Sequence, residues 1–157
     1  MKIRRLKIKD KVFMYEWMHD DDVTRFLNVK FHNKTLADCE KFIASSIHGN
    51  DINLAIVDDT DEYLGTISLK NIDKNNKIAE MAIVVRKCAM GKGVSKFALD
   101  EIFAYGRNIL GINTFYWFVK PENVRAVKFY NKNGYKTVSS IKGIDFLDSK
   151  YYWYIAH

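Results

Sequence analysis

Two glycines separated by one lysine, Gly91-Lys92-Gly93, stand between a β-prone run and a helix-prone one. Glycine adopts positive φ and lets the backbone approach a ligand closely. The first amides of a helix have no internal partner and carry about half a positive charge from the macrodipole. A strand ending near Val85, a basic loop with Arg86 and Lys87, and a glycine-opened helix carrying Lys92 and Lys96 describe an anion cradle suited to a pyrophosphate. The same residues also describe an ordinary glycine turn before a surface helix, because a lone G-x-G is a weak signal. There is no third glycine for a dinucleotide G-x-G-x-x-G turn and no G-x-x-x-x-G-K-[ST] loop, which weighs against Rossmann oxidoreductases and P-loop NTPases.

The elements that would position this cradle follow from periodicity. Ile3 to Leu6 reads as a strand, Asp10 to Trp17 as a short helix, and Thr35 with Asp38 caps a second helix through Ile47. Asn53–Val57 and Tyr63–Ile72 are strands joined by the polar turn Asp58–Asp61, and Ile78–Val85 is a third. From Gly91 to Ile109 the apolar period becomes helical, with Gly111 as the stop. Thr114–Val119, a helix over 123–132 ended by Asn133-Gly134, and strands at Tyr135–Ser140 and Tyr151–Ala156 complete the chain. The order β-α-α-β-β-β-α-β-α-β-β predicts a mixed α+β or α/β single domain.

Composition agrees. The chain has 157 residues, 48% apolar, enough for one core and no room for a second domain. Lys plus Arg number 25 against 19 Asp plus Glu, a net charge of +6 that favours anionic partners without specifying nucleic acid. Cys39 and Cys88 are too few for a disulfide framework. His32, His48 and His157 show no metal spacing with them, so no metal site is expected. Neither a membrane-spanning apolar run nor a signal-peptide core is seen, and the expected location is the cytoplasm.

The segment Met90-Gly91-Lys92-Gly93-Val94-Ser95 resembles the [QR]-x-x-G-x-[GA] loop of the GNAT N-acetyltransferase superfamily. The glycines match; Met90 replaces Gln or Arg, and Ser95 replaces Gly or Ala. A second segment, Asn123-x-x-Ala126-x-x-x-Tyr130-x-x-x-Gly134-Tyr135, is similar to the later GNAT motif N-x-x-A-x-x-x-Y-x-x-x-G-[FY], at the right distance. Together they imply a GNAT-like acyl-CoA N-acyltransferase fold over residues 1–157: a mostly antiparallel sheet flanked by about four helices.

The resemblance also implies roles. Acetyl-CoA would be the cosubstrate, without a metal, held by Ile83, Val84 and Val85 along its arm, by Met90, Gly91, Lys92, Gly93, Val94 and Ser95 at its phosphates, and by the Asn123 amide. An amide of Val84 or Val85 would polarise the thioester carbonyl. Tyr130 would protonate the departing thiolate. A tyrosine near pKa 10 is about 1.5 units weaker as an acid than a thiol, an uphill transfer of about 2 kcal/mol unless the site lowers the tyrosine or the transfer is concerted. Glu80 interrupts the apolar run Ile78–Val85, where a carboxylate is costly without water or a partner, and is the candidate general base. Trp17 and His19 belong to a segment resembling the acceptor-side loop.

The stretch Leu64–Asp73 followed by Ala79-Glu80 looks like the bacterial amino-sugar-nucleotide N-acetyltransferases, whose acceptor is the 4-amino group of a UDP-linked deoxysugar. The Gly-Lys-Gly triplet resembles the ribosomal-protein N-terminal acetyltransferase branch. A non-catalytic acyl-CoA sensor or scaffold is the alternative of another class. The expected partner is thus a small-molecule amine, a nucleotide sugar among the candidates, with no nucleic acid or membrane, and the chain a monomer or homodimer.

Overall fold

Thr35 and Asp38 bond each other's backbone amides, and the helix they cap runs from Leu36 to His48. It is one of the elements of the computed structural model, which describes residues 1–146 and 150–157. In chain order the elements are β1 (Lys2–Arg5), a 3-10 turn (Ile8–Asp10), α1 (Lys11–Met18), α2 (Asp21–Thr24), α3 (Leu36–His48), β2 (Ile52–Val57), β3 (Tyr63–Asp73) and β4 (Ile78–Val85). A second 3-10 turn (Lys87–Ala89), α4 (Val94–Leu110), β5 (Thr114–Val119), α5 (Val124–Lys132), β6 (Lys136–Val138) and β7 (Tyr152–Ala156) follow. The strands form one seven-stranded sheet in the order β1-β2-β3-β4-β5-β7-β6. Neighbours are antiparallel except β4 and β5. This is the mixed, mostly antiparallel sheet that the resemblance implies.

Two differences have local causes. Residues Asp21–Thr24, to which the periodicity assigns no element, wind into α2, with the Asp20 carboxylate accepting the Asp22 amide as an N-cap. The strand expected over Tyr135–Ser140 keeps only Lys136–Val138; the chain then turns through an isolated bridge between Ile141 and Ile144.

One face of the sheet packs on α4. Val94, Ala98, Leu99, Ile102, Phe103 and Gly106 recur at helical spacing and are buried against Ile67, Leu69, Met81, Phe115 and Trp117. Fully burying a side chain such as Leu99 is worth about 1.5–3 kcal/mol. A Cβ on Gly106 would lie 2.5 Å from the Phe115 ring, so only glycine brings α4 this close to β5. The opposite face is covered by α1 and α3, with Met14, Trp17, Met18, Cys39 and Ile43 packed on Ala55, Val57 and Tyr63. Among the described residues no helix is long and apolar enough to cross a membrane.

Candidate active site

The strand β4 has two neighbours along its first half and one along its second. Ile78, Ala79 and Glu80 pair with Thr114, Phe115 and Tyr116, and the β4–β5 register ends there. Pairing with β3 continues to Val85, while β5 stays with β7 to Val119. Beyond Glu80 the two strands part, leaving a wedge in the sheet. Main-chain groups alternate in direction along a strand. The Lys77 carbonyl accepts from the Thr114 amide at 3.1 Å, and the Arg86 amide donates to the Leu64 carbonyl at 2.8 Å. Odd-numbered β4 residues therefore direct N–H and C=O toward β5, and even-numbered ones toward β3. Ile83 and Val85 offer unpaired backbone groups to the wedge. Val84 does not: its amide lies on the β3 side, so of the two polarising amides expected, geometry leaves only that of Val85.

At the mouth of the wedge the chain passes the Lys87–Ala89 turn and enters α4. Gly91 has φ +75° and Gly93 φ +78°, conformations that L side chains rarely adopt, and a Cβ on either would meet no atom within 4 Å. Gly93 caps α4 without any side-chain bond. The Phe97 amide donates to the Gly93 carbonyl, so the amides of Val94, Ser95 and Lys96 precede the first helical hydrogen bond. Open space, free donors and a helix dipole coincide at one point.

The basic residues are arranged differently from expectation. Arg86 is buried and turned away from the cradle: its guanidinium bonds both Glu16 carboxylate oxygens at 3.0 Å, Glu62 at 2.7 Å and the Tyr63 carbonyl at 2.9 Å, over the Phe13 ring. Burial opposes its charge, but the two carboxylates outweigh burial and raise its pKa. Lys87 is held by Asp22 at 2.6 Å and Lys96 by Asp100. Lys92 makes no ion pair among the described residues.

Tyr130, on α5, is buried between Trp117, Phe129, Tyr135 and Tyr154. Among the described residues its hydroxyl has no side-chain hydrogen-bond partner. Burial pushes its pKa well above the ordinary value, with smaller contributions from Tyr135 and Tyr154. In the free chain this environment favours the neutral phenol rather than a lowered pKa. Asn123 is the N-cap of α5, its Oδ1 accepting the Ala126 amide at 3.3 Å; only its NH₂ remains for a ligand.

Glu80 is half-buried at the apex of the wedge. Asn71 Nδ2 donates to its Oε2 at 2.7 Å, and it lies across from Lys70 on β3 and Tyr116 on β5. Burial, then the Glu80 charge, raise the Tyr116 phenol pKa, and a bond from Asn71 partly offsets them. Trp17 is not positioned to touch an acceptor. It is 4% exposed, and its Nε1 donates to the Tyr63 hydroxyl at 3.0 Å, a core contact that its size and apolarity favour. His19 is exposed at the end of α1, its ring tilted against that of Tyr15, with Nδ1 2.8 Å from the Tyr15 carbonyl.

The family model described as "Acetyltransferase (GNAT) domain" matches residues 1–136. This chain belongs to the GNAT acetyltransferase family. An uncharacterized N-acetyltransferase of Bacillus licheniformis is 29% identical over 82% of this chain and 75% of its own length. Spermidine N(1)-acetyltransferase of Escherichia coli K12 is 22% identical over 96% of this chain and 81% of its own. In fold, the chain is similar to spermidine N-acetyltransferase of Vibrio cholerae in its complex with CoA and spermine, at TM-score 0.82 and 19% identity, covering 99% and 94% of the two chains.

As a GNAT acetyltransferase, the chain uses acetyl-CoA, and its own residues suit that group. The positive-φ glycines open onto empty space, and free amides line both cradle and wedge. Among the described residues no cluster of His, Cys, Asp or Glu suits a metal. Two features near the site were not foreseen. Arg125 Nη1 lies 2.7 Å from Met90 Sδ, a contact between residues far apart in sequence whose only hint was the missing donor at position 90. Trp153 joins Ile78, Tyr116 and Phe118 on the Glu80 side of the sheet with its indole N–H buried and unbonded. Its strand was legible; its lack of a partner was not.

Proposed function

We propose that this chain transfers the acetyl group of acetyl-CoA to a primary amine of a polyamine of the spermidine class. Supporting the acceptor are the spermidine acetyltransferases, to which this chain is similar over 96% of its length for the Escherichia coli enzyme and 71% for that of Vibrio cholerae. The amino-sugar nucleotide and the protein N-terminus, expected from the Leu64–Asp73 stretch with Ala79-Glu80 and from the Gly-Lys-Gly triplet, draw no support from these relatives. The observation that carries the chemistry is the wedge, with a carboxylate at its apex and free amides along one wall.

Bound acetyl-CoA supplies a thioester carbonyl and a thiolate leaving group. The Val94–Lys96 amides and the glycine loop would hold its phosphates, while Ile83, Val85 and the Asn123 NH₂ would align its arm. The Val85 N–H donates to the carbonyl as negative charge builds there; losing one such donor typically costs about 10²–10³ in rate. Glu80 attracts the acceptor ammonium. An alkylammonium near pKa 10.4 needs about 4 kcal/mol to lose its first proton at pH 7.4, more than an α-amino group near 8. Glu80 accepts the remaining proton as the N–C bond forms and the nitrogen turns acidic. Tyr130, its pKa raised by burial, delivers its proton in step with C–S cleavage, since full transfer beforehand is uphill.

The test is an acceptor screen that follows free thiol released from acetyl-CoA. Spermidine is expected to give the highest kcat/KM. A UDP-4-amino sugar or a peptide N-terminus turning over faster would overturn the polyamine reading. No thiol with any amine, alongside intact CoA binding, would favour a non-catalytic sensor.

A further inference from the structure

We propose that Arg125, from α5, supplies to the coenzyme's pyrophosphate the side-chain charge that the loop itself lacks at Met90. The inference rests on the acyl-CoA reading of the cradle. A pyrophosphate linkage carries two negative charges, and the helix dipole answers about half of one. Of the loop's own cations, Arg86 is spent on Glu16 and Glu62, Lys87 on Asp22 and Lys96 on Asp100. Met90 offers only a thioether, a weak acceptor with no donor. Arg125 reaches across from another element and sets its guanidinium against that sulfur at 2.7 Å.

Two features of Arg125 fit a ligand contact better than a structural one. It pairs with no carboxylate among the described residues, so its N–H fork is held by a sulfur that cannot satisfy it. It also sits in the first turn of α5, just after the Asn123 cap, where the macrodipole disfavours a cation. A planar guanidinium matches phosphate oxygens bidentately, which a lysine such as Lys92 does not. Among the described residues, Lys92 and Arg125 are thus the cations on or against this loop that no carboxylate occupies.

The test is calorimetric titration of CoA and of dephospho-CoA into wild type, Arg125→Ala, and the double variant Met90→Arg with Arg125→Ala. Arg125→Ala is expected to weaken both ligands by roughly tenfold, with an unchanged melting temperature because the side chain is exposed. The double variant should regain most of that affinity. Wild-type affinity in Arg125→Ala would overturn the proposal. So would a loss confined to CoA, which would place the charge at the ribose phosphate. Wild-type protein that binds neither ligand would remove the acyl-CoA reading and this proposal with it.

Discussion

Glu80 on β4 and Tyr116 on β5 are the last cross-strand partners of the one parallel strand pair among the described residues. One step further the strands have separated, so the carboxylate stands where an amine from the helix α1 side and a thioester in the wedge would converge. Asn71 fixes one of its oxygens at 2.7 Å. On this geometry Glu80→Gln should lower kcat/KM for spermidine by about 10² at pH 7.4. The loss should shrink toward pH 9.5, where hydroxide can take the proton that Glu80 would otherwise accept, and CoA affinity should stay the same. A pH–rate profile for both forms checks this; parallel profiles would remove the base role.

Tyr130→Phe removes one oxygen from an aromatic cluster and leaves the rings in place. The hydroxyl has no side-chain partner among the described residues, so stability should change by less than about 1 kcal/mol. Turnover should fall by about 10–10² with CoA affinity unchanged. Steady-state kinetics with calorimetry separates the two; an undiminished kcat would remove the acid role.

Burial raises the Tyr63 and Tyr130 pKa values, desolvation being the largest cause for each. Above pH 10 the unfolded chain loses these protons while the folded chain keeps them. The native state then binds more protons, and stability falls as pH rises. Urea midpoints should hold steady from pH 8 to 9.5 and drop by pH 11. In the Tyr130→Phe variant the drop should be smaller, because one of the tyrosines raised by burial is gone; an equal drop would assign the effect elsewhere.

Gly93→Val forces a β-branched residue into φ +78° at the start of α4 and pushes its side chain into the cradle's open space. Left-handed backbone alone costs about 1–2 kcal/mol. CoA affinity should fall by more than tenfold in protein that still unfolds cooperatively. The comparison is with Gly111→Val, also at positive φ but at the far end of α4: similar destabilisation, normal CoA affinity. Equal binding losses in both would mean that strain, not occupancy of the cradle, is responsible.

Much of this was legible in the residues. Strand and helix positions follow from period, and the two glycines with Asn123 and Tyr130 led to the family. What could not be read was the direction of side chains and amides. Arg86 looks like part of the cradle from its place in the loop, yet burial with Glu16 and Glu62, far away in sequence, turns it inward. Trp17 looks available because its segment resembles an acceptor-side loop, yet it bonds Tyr63 in the core. Val84 and Val85 are indistinguishable by composition; only the register with β3 and β5 separates them. Arg125 required a contact between α5 and the loop that no local pattern encodes.

The central claim is that free amides at the head of α4 and along β4 hold the coenzyme. Backbone amide resonances of ¹⁵N-labelled protein during a CoA titration test it most directly. The largest shifts should fall at Gly91, Gly93, Val94, Ser95 and Lys96, with Ile83 and Val85 following. Shifts concentrated instead at the cleft lined by Asp100, Arg107, Tyr135 and Lys136, with the glycine loop silent, would contradict it.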